Sequence, residues 1–226
     1  MVELQMNTVL HCAIMLALCL ACPVYSQGRE TVQLPKPRLS SPVSVEQALN
    51  QRRSIRSFTN EPLTLEEVSQ LCWSAQGITN DKGFRTAPSG GALYPLELYV
   101  AAGRVTGLSP GLYRYDPRSH SLAVVKAGAI IPDLCEASYN QTCMKEGAIV
   151  LVFSSVWERI TKKYGDRGRR YAVIEVGHAS QNVYLQAETL GLGTVAVGYF
   201  VDEDVKKAIG MKEGEDPLYM MPVGRR

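Results

Sequence analysis

The sequence lacks an excess of charge of either sign. Its 24 lysines and arginines nearly balance its 22 aspartates and glutamates, which leaves a formal net charge of +2. So small a charge does not provide the broad basic surface that attracts nucleic acid or an acidic membrane. The basic residues are instead clustered locally, at 52–56, 159–170 and 225–226. Clusters of this kind suit the binding of a small anion, and we predict no nucleic-acid partner.

The sequence also lacks the motifs of metal sites. Beyond residue 26 it has no C-x-x-C, it has no H-E-x-x-H, and its 3 histidines are far apart. We therefore predict no protein-held metal. Of the 6 cysteines, those beyond residue 26 are Cys72, Cys135 and Cys143. An odd number is not a disulfide framework, although Cys135 and Cys143 could pair in an oxidising compartment.

A dinucleotide-binding fingerprint is missing as well. Gly191-Leu192-Gly193 has no third glycine at the required spacing and follows a predicted helix, whereas the fingerprint must follow a strand. We interpret these residues as a helix stop and a tight turn into a strand.

The first 26 residues resemble a secretory signal. Val9 to Ala21 is an apolar segment too short for a comfortable membrane span, and Val24-Tyr25-Ser26 offers small residues to a signal peptidase. The segment before it carries Glu3 and no lysine or arginine, which is unusual for a signal. We predict cleavage after residue 26, export to the periplasm or the outside, and no stable membrane span after cleavage. Lipid attachment at Cys22 is the alternative.

The remaining chain is predicted to form one domain behind a short leader. Residues 27–43 hold three prolines among polar residues, which is typical of an extended leader or linker. Residues 44–226 have no change in composition that would divide them, and the chain, 46% hydrophobic, is long enough for one core. Because its predicted strands and helices lack a regular βαβ alternation, we predict the α+β class.

Two capping boxes predict where the first helices begin. Ser44 is followed by Gln47, and Thr64 by Glu67. The first helix ends in the basic cluster and the second ends at Gly77. The further elements predicted from periodicity are a strand at 96–102, a hairpin of 112–115 and 121–126, a buried central strand at 147–153, a helix at 169–190, a strand at 194–200, a helix capped by Asp202 and ending at Ile209, and a final strand at 218–223.

The helix predicted at 169–190 is apolar on nearly all sides. A helix of this kind needs cover all round, and a chain of this size supplies only part of it. We therefore predict a homodimer interface on this helix.

Three motifs carry the functional prediction. The run Arg52-Arg53-Ser54-Ile55-Arg56 brings guanidinium groups and a hydroxyl together, as a phosphate requires, although a solvated basic helix end is the alternative. The second motif is the glycine-rich run at 87–98, Ala-Pro-Ser-Gly-Gly-Ala-Leu-Tyr-Pro-Leu-Glu-Leu. The third is the terminal run at 221–226, Met-Pro-Val-Gly-Arg-Arg.

Together with Gly191 to Val195 and Lys163-Tyr164-Gly165, these motifs resemble the FMN-dependent nitroreductase family. The resemblance runs from about Ser44 to the last residue and is greatest to the SagB/ThcOx-type dehydrogenase branch. It implies a nitroreductase fold, with a central, mostly antiparallel sheet flanked by helices and a domain-swapped-type homodimer. It also implies two FMN sites at the subunit interface and ping-pong hydride transfer between a small-molecule electron donor and an acceptor.

The resemblance assigns roles to individual residues. The residues implied to hold the FMN phosphate are Arg52, Arg53, Ser54, Arg56 and Arg225. Those implied to reach the flavin of the partner subunit are Pro88, Ser89 and Gly90. Val197 and Gly198 are implied to lie along the flavin ring, with the Gly198 N–H near ring atom N5. This chain has Ala196 where the family often has proline, which leaves that backbone less fixed.

Lys163 and Tyr164 are the candidate catalytic residues. Azole-forming relatives carry a Lys-Tyr pair that assists proton removal while the flavin takes a hydride. The alternative is a basic helix end with a packing tyrosine. Two other functions remain open, a non-catalytic extracytoplasmic FMN-binding protein and an azoline or peptide-maturation dehydrogenase.

Overall fold

A computed structural model describes residues 30–226. The predicted signal segment at 1–26, with its cleavage site and Cys22, lies outside these residues.

The strands form one large sheet and a small one. In chain order they are β1 (Thr31–Gln33), β2 (Leu63–Thr64), β3 (Leu96–Ala102), β4 (Val105–Thr106), β5 (Gly111–Asp116), β6 (Ser121–Ala127), β7 (Ile149–Val156), β8 (Leu192–Thr194) and β9 (Glu215–Arg225). The large sheet has seven strands in the order β1-β6-β5-β3-β7-β9-β8, and every neighbouring pair is antiparallel. β2 and β4 pair in parallel beside it.

Helices flank the large sheet. In chain order they are α1 (Val45–Gln51), α2 (Leu65–Gln76), α3 (Ile131–Ala137), α4 (Thr142–Glu146), α5 (Glu158–Tyr164), α6 (Arg167–Thr189) and α7 (Asp202–Ile209). The predicted α+β architecture, a mostly antiparallel sheet flanked by helices, is therefore confirmed.

Both predicted capping boxes are formed. Ser44 Oγ accepts the Gln47 N–H at 3.2 Å while the Gln47 side chain accepts the Ser44 N–H at 2.9 Å. Thr64 and Glu67 make the same reciprocal pair at 3.2 and 2.8 Å. Each box satisfies two backbone donors that the first helical turn would otherwise leave without partners, so α1 and α2 begin where the sequence predicts.

The predicted central strand β7 separates two hydrophobic clusters. Ile149, Leu151 and Phe153 point into one, and Val150 and Val152 point into the other. All five are fully buried. Burial of such side chains stabilises the fold by about 1.5–3 kcal/mol each.

Four details differ from the predicted elements. Thr31–Gln33, within the predicted leader, pairs with β6 as an edge strand, and the following Leu34 is buried in the core. The strand predicted at 194–200 ends at Thr194, because the next position of β9 in register is Pro222, which has no N–H to donate, and Val197 returns to β9 only as an isolated bridge to Met220. Asp202 is the first residue of α7 and not its N-cap, which is Val201. The final strand is longer than predicted because it pairs along the whole of β7.

Helix α6 is buried on one face only within a single chain. Its small residues, such as Ala172 and Ala179, lie against the core, whereas Val173 and Ile174 on the other face are 55% and 48% exposed. A single chain therefore covers only part of this helix, and the predicted homodimer interface stays a prediction.

The cysteines at 72, 135 and 143 are free and buried. Among residues 30–226, no group of three histidine, cysteine, aspartate or glutamate side chains is arranged to hold a metal ion. Over the same residues, no helix has the length and apolar character needed to cross a membrane.

Candidate functional site

The basic cluster lies where α1 ends. Arg52 is the C-cap of the helix, and Arg53 Nη1 turns back to donate to the Asn50 and Arg52 carbonyl oxygens at 3.2 and 2.7 Å. Ser54 and Arg56 are exposed. Within residues 30–226, none of the three arginines forms an ion pair with a carboxylate. Three neighbouring guanidinium groups without a counter-charge suit the binding of an anion.

Tyr184 of α6 connects this cluster to the segment after β8. The Arg52 guanidinium lies over the Tyr184 ring, 5.2 Å from its centroid. The Tyr184 hydroxyl accepts the Ala196 N–H at 2.7 Å and lies 3.2 Å from Ser54 Oγ. Since the hydroxyl oxygen accepts from Ala196, its proton is free for Ser54. One side chain thus fixes the spacing between the basic cluster and the predicted ring-facing backbone.

The sequence alone did not single out Tyr184. Tyr184 lies in the helix predicted to be apolar on nearly all sides, and its hydroxyl partners are 130 and 12 residues away in the chain. The one available signal was that a tyrosine in an apolar setting needs a hydrogen-bond partner for its hydroxyl.

Two glycines allow the segment after the basic cluster to cross the sheet edge. Ile55 N–H donates to the Thr194 oxygen at 2.9 Å. A Cβ at Gly193 would lie 2.7 Å from an Ile55 methyl, and a Cβ at Gly224 would lie 2.7 Å from Phe58. Both distances are too short for any side chain at these positions. The segment after the basic cluster, the 191–195 segment and the third motif at Gly224 therefore meet in space.

Val197 and Gly198 lie beside this junction. Val197 is buried and exchanges two backbone hydrogen bonds with Met220, at 2.7 and 3.0 Å. Gly198 is exposed, and its N–H makes no hydrogen bond within the described part of the chain. The next residue, Tyr199, is 68% exposed and stacks on Tyr139 with 4.4 Å between ring centroids. The Gly198 N–H is therefore open to an acceptor.

We call the residues of this surface the cofactor cluster: Arg52, Arg53, Ser54, Arg56, Tyr184, Val197 and Gly198. Its donor set of uncompensated guanidinium groups, a hydroxyl and an open backbone N–H fits a flavin mononucleotide, which offers a dianionic phosphate and hydrogen-bond acceptors on its ring.

Arg225 points elsewhere. Its guanidinium binds Glu67 at 3.0 Å, lies 3.7 Å from Glu61 and donates to the Pro62 oxygen at 3.3 Å. These carboxylates already balance its charge. The predicted role of Arg225 as a phosphate ligand has no support from this geometry and stays a prediction.

The glycine-rich loop at 88–91 packs on α6 of its own chain. The Gly90 N–H donates to Glu175 Oε1 at 2.8 Å, and Ser89 Oγ accepts the Tyr94 N–H at 2.9 Å. Burial raises the pKa of Glu175, and the hydrogen bond from Gly90 opposes that rise. Pro88 is exposed at the tip of the loop. Sequence analysis did not identify Glu175 as the residue that holds this loop.

The Lys-Tyr pair lies against the same loop. A Cβ at Gly91 would lie 2.7 Å from the Tyr164 hydroxyl and 3.0 Å from Lys163 Nζ. Tyr164 meets the Tyr171 ring edge-on, with 5.2 Å between centroids. Lys163 is exposed in the single chain. The second motif and the candidate catalytic pair therefore form one surface.

We call this second surface the loop cluster: Pro88, Ser89, Gly90, Gly91, Lys163, Tyr164 and Glu175. It is anchored on α6 at Glu175, whereas the cofactor cluster is anchored at Tyr184. Nine residues of helix separate the two anchors, or about 14 Å at 1.5 Å per residue. One chain thus presents two separate candidate surfaces.

Comparison with known proteins agrees with this geometry. The family model described as the nitroreductase family matches residues 49–225. The chain is 42% identical over 197 residues to the nitroreductase-like protein MJ1384 of Methanocaldococcus jannaschii, covering 87% of this chain and 98% of that protein. It is 26% identical over 195 residues to the FMN reductase (NADPH) of Bacillus subtilis, covering 80% and 65% of the two chains.

Two solved structures are similar in fold. A nitroreductase-like protein of Ralstonia eutropha superposes with a TM-score of 0.74 at 28% identity, covering 86% of this chain and 89% of the other. A chain of the Escherichia coli microcin synthetase McbBCD complex, solved with truncated pro-microcin B17 bound, superposes with a TM-score of 0.67 at 25% identity, covering 91% and 83%.

Proposed function

The chain belongs to the nitroreductase family and is an FMN-dependent oxidoreductase, and we propose that it works as a homodimeric, ping-pong dehydrogenase of the SagB/ThcOx type. Bound FMN supplies the hydride acceptor and donor of two successive half-reactions. The observation that carries the proposal is the link made by Tyr184, which ties the uncompensated arginines to the open backbone at Gly198. The protein's own residues bind the phosphate, orient the ring and handle the proton.

The cofactor cluster performs the binding. Arg52 and Arg56 offer planar donors to phosphate oxygens, and the Ser54 hydroxyl fills a gap between them. Because α1 ends here, the helix dipole opposes an anion, so side chains must supply the attraction. The Gly198 N–H is the donor proposed for N5 of the ring.

Lys163 and Tyr164 are proposed to handle the substrate proton. In a dehydrogenation, one C–H bond loses its hydrogen as hydride while the neighbouring atom, a second carbon in an azoline ring, loses a proton to a base. An uncharged Lys163 Nζ would accept that proton. The nearby Tyr164 hydroxyl would donate a hydrogen bond to the substrate. Their position against the glycine loop supports the proposal, since the family resemblance assigns that loop to a flavin site.

A homodimer would unite the two surfaces. The loop cluster of one chain and the cofactor cluster of the other would complete each site, and the exposed Val173 and Ile174 would gain cover. A ligand that binds only the dimer must strengthen association. Sedimentation at low protein concentration should show tighter association with FMN than without it. A folded monomer with full FMN affinity would refute the shared site.

A peptide-maturation dehydrogenase is the second candidate function. Similarity to a chain of the microcin synthetase complex, solved with a pro-microcin, favours it. Turnover assays separate the candidates: oxidation of azoline-containing peptides with electrons passed to oxygen supports maturation, whereas reduction of quinones or nitroaromatics alone supports a general reductase. FMN binding without any turnover would indicate the non-catalytic binding protein.

We also propose that the protein is exported and cleaved after Ser26. The apolar segment at 9–21 and the small residues that follow it support this. Mass spectrometry of the N-terminus from the native host tests it. An intact Met1 would refute cleavage, and a lipid on Cys22 would move the cut upstream.

A further inference from the structure

A cavity of about 510 Å³ lies beside β3 and the β5–β6 turn. This volume is in the range that small-molecule ligands occupy. Two kinds of charged side chain line it, four arginines and two carboxylates: Arg85, Arg114, Arg118, Arg159, Glu97 and Asp116. Four positive and two negative groups leave a formal charge of +2 on the lining. The cavity shares no residue with the cofactor cluster.

The two carboxylates do not neutralise all four arginines. Glu97 pairs with Arg159 and lies 4.0 Å from Arg114 Nε. Asp116 is engaged within its own turn, where it accepts the Ser119 hydroxyl at 2.8 Å and a backbone N–H at 2.9 Å. Within residues 30–226, Arg85 and Arg118 have no carboxylate partner.

Arg85 is held in place by neutral groups. Its Nη1 donates to Gln76 Oε1 at 2.6 Å, and its guanidinium lies 4.4 Å from the Tyr94 ring centroid. Burial lowers the pKa of Arg85. The carboxylates of Glu97 and Glu175 attract this cation, but within residues 30–226 neither forms an ion pair with it. Burying a cation without a paired anion is costly, so the fold keeps Arg85 in place at a cost in stability.

The cavity wall beside Arg85 contains residues with a strained backbone. Tyr94 has a φ of 48°, in the left-handed region that a bulky residue rarely adopts, and its hydroxyl accepts the Arg85 N–H at 3.3 Å. Ala92, which also lines the cavity, has a φ of 55°. Strain of this kind persists where the surrounding structure requires it, and it is concentrated at functional sites.

We propose that this cavity binds the phosphate group of a small-molecule ligand. A phosphate dianion matches the charge of +2, and the forked guanidinium groups of Arg85 and Arg118 match its oxygens. The cavity reaches Ala92, the residue after Gly91, which lies against Lys163 and Tyr164. A ligand anchored here by its phosphate extends toward the loop cluster.

Titration calorimetry with inorganic phosphate tests this, using the full chain saturated with FMN so that the cofactor cluster is occupied. We expect saturable binding that Arg85→Gln and Arg118→Gln each weaken roughly tenfold. Lys207→Gln, which removes one positive charge from α7, should leave the affinity unchanged. Arg118 is exposed and its guanidinium makes no hydrogen bond within residues 30–226, so Arg118→Gln decides the matter if Arg85→Gln does not fold.

Three outcomes would overturn the proposal. They are the absence of saturable phosphate binding, equal phosphate affinity in all the variants, and tighter binding of succinate than of phosphate, which would assign the cavity to carboxylates. The titration is repeated without FMN on an Arg52→Ala, Arg56→Ala double variant. Binding that persists there supports the cavity even if the FMN assignment fails, so the two claims can be refuted separately.

Discussion

The two clusters on α6 are built in different ways. The cofactor cluster is tied to the large sheet, because Ile55 binds Thr194, Ala196 binds Tyr184 and Val197 pairs with Met220. The loop cluster is held by two side-chain hydrogen bonds, from Gly90 N–H to Glu175 and from Tyr94 N–H to Ser89 Oγ, and by a turn with left-handed residues at Gly91 and Ala92. The comparison indicates that backbone pairing with the sheet positions the cofactor cluster, whereas side-chain hydrogen bonds and the end of helix α5, which carries Lys163 and Tyr164, position the loop cluster.

The largest expected effect is that of a substitution in the loop cluster on the rate of dehydrogenation. If Lys163 is the base, Lys163→Ala should lower dehydrogenation by roughly 10²–10⁴-fold, while FMN content and quinone reduction stay near normal. Steady-state kinetics with a dehydrogenation substrate and with a quinone measure the two activities separately. The neighbouring Lys162→Ala is the matched control, because Lys162 already pairs with Glu158 at 2.8 Å. Unchanged turnover in both Lys163→Ala and Tyr164→Phe would make the pair a basic helix end.

Substitutions in the cofactor cluster should change the affinity for FMN and not the rate of the chemical step. Each charged contact to phosphate contributes about 1.5–3 kcal/mol. Arg52→Ala or Arg56→Ala should therefore weaken FMN binding by roughly ten- to a hundredfold. Arg53→Ala should cost less, because that guanidinium already binds helix carbonyl oxygens. Fluorescence titration with FMN measures all three, and equal affinities throughout would contradict the assignment.

Removing the Tyr184 hydroxyl tests whether this side chain positions the cofactor. Tyr184→Phe leaves the Ala196 N–H and Ser54 without this partner, which should cost about 1 kcal/mol of unfolding free energy and up to about tenfold in FMN affinity. Tyr113→Phe removes a single hydrogen bond to the Ser109 oxygen, away from the site, and is the control. If both variants lose only stability and neither loses FMN affinity, Tyr184 does not position the cofactor.

The smallest expected effect is a pH dependence in the loop cluster. Burial raises the pKa of Glu175 in the folded chain above its value in the unfolded chain. The folded state then binds more protons, so the contribution of Glu175 to stability falls as pH rises from its ordinary pKa through the raised one. Glu175→Gln keeps an acceptor for Gly90 and should flatten that part of the curve. Denaturant unfolding across this pH window measures it, and parallel curves would contradict the shift.

Local signals predicted much of this fold. The capping boxes at Ser44 and Thr64 fix two helix starts within four residues of sequence, and the alternation of β7 follows from burial on both faces. Pairing between strands that are distant in the chain could not be predicted from such local signals. The strand at Thr31–Gln33 depends on β6, about 90 residues later in the chain.

The prediction of the candidate site from the sequence was limited in the same way. Sequence motifs identified the arginines, the glycine loop and Gly198 as candidate site residues, but they could not show where a flexible side chain points. Arg225 turns to Glu67, which is 158 residues away. Glu175 and Tyr184 were missed because their roles arise only when a distant backbone N–H arrives next to them.

The most direct test of the account is the absorption spectrum of the purified full-length protein, before and after added FMN and after denaturation. The account predicts a bound oxidised flavin that denaturation releases as FMN and not FAD, because the cofactor cluster suits a terminal monophosphate. Colourless protein that fails to bind added FMN would contradict it.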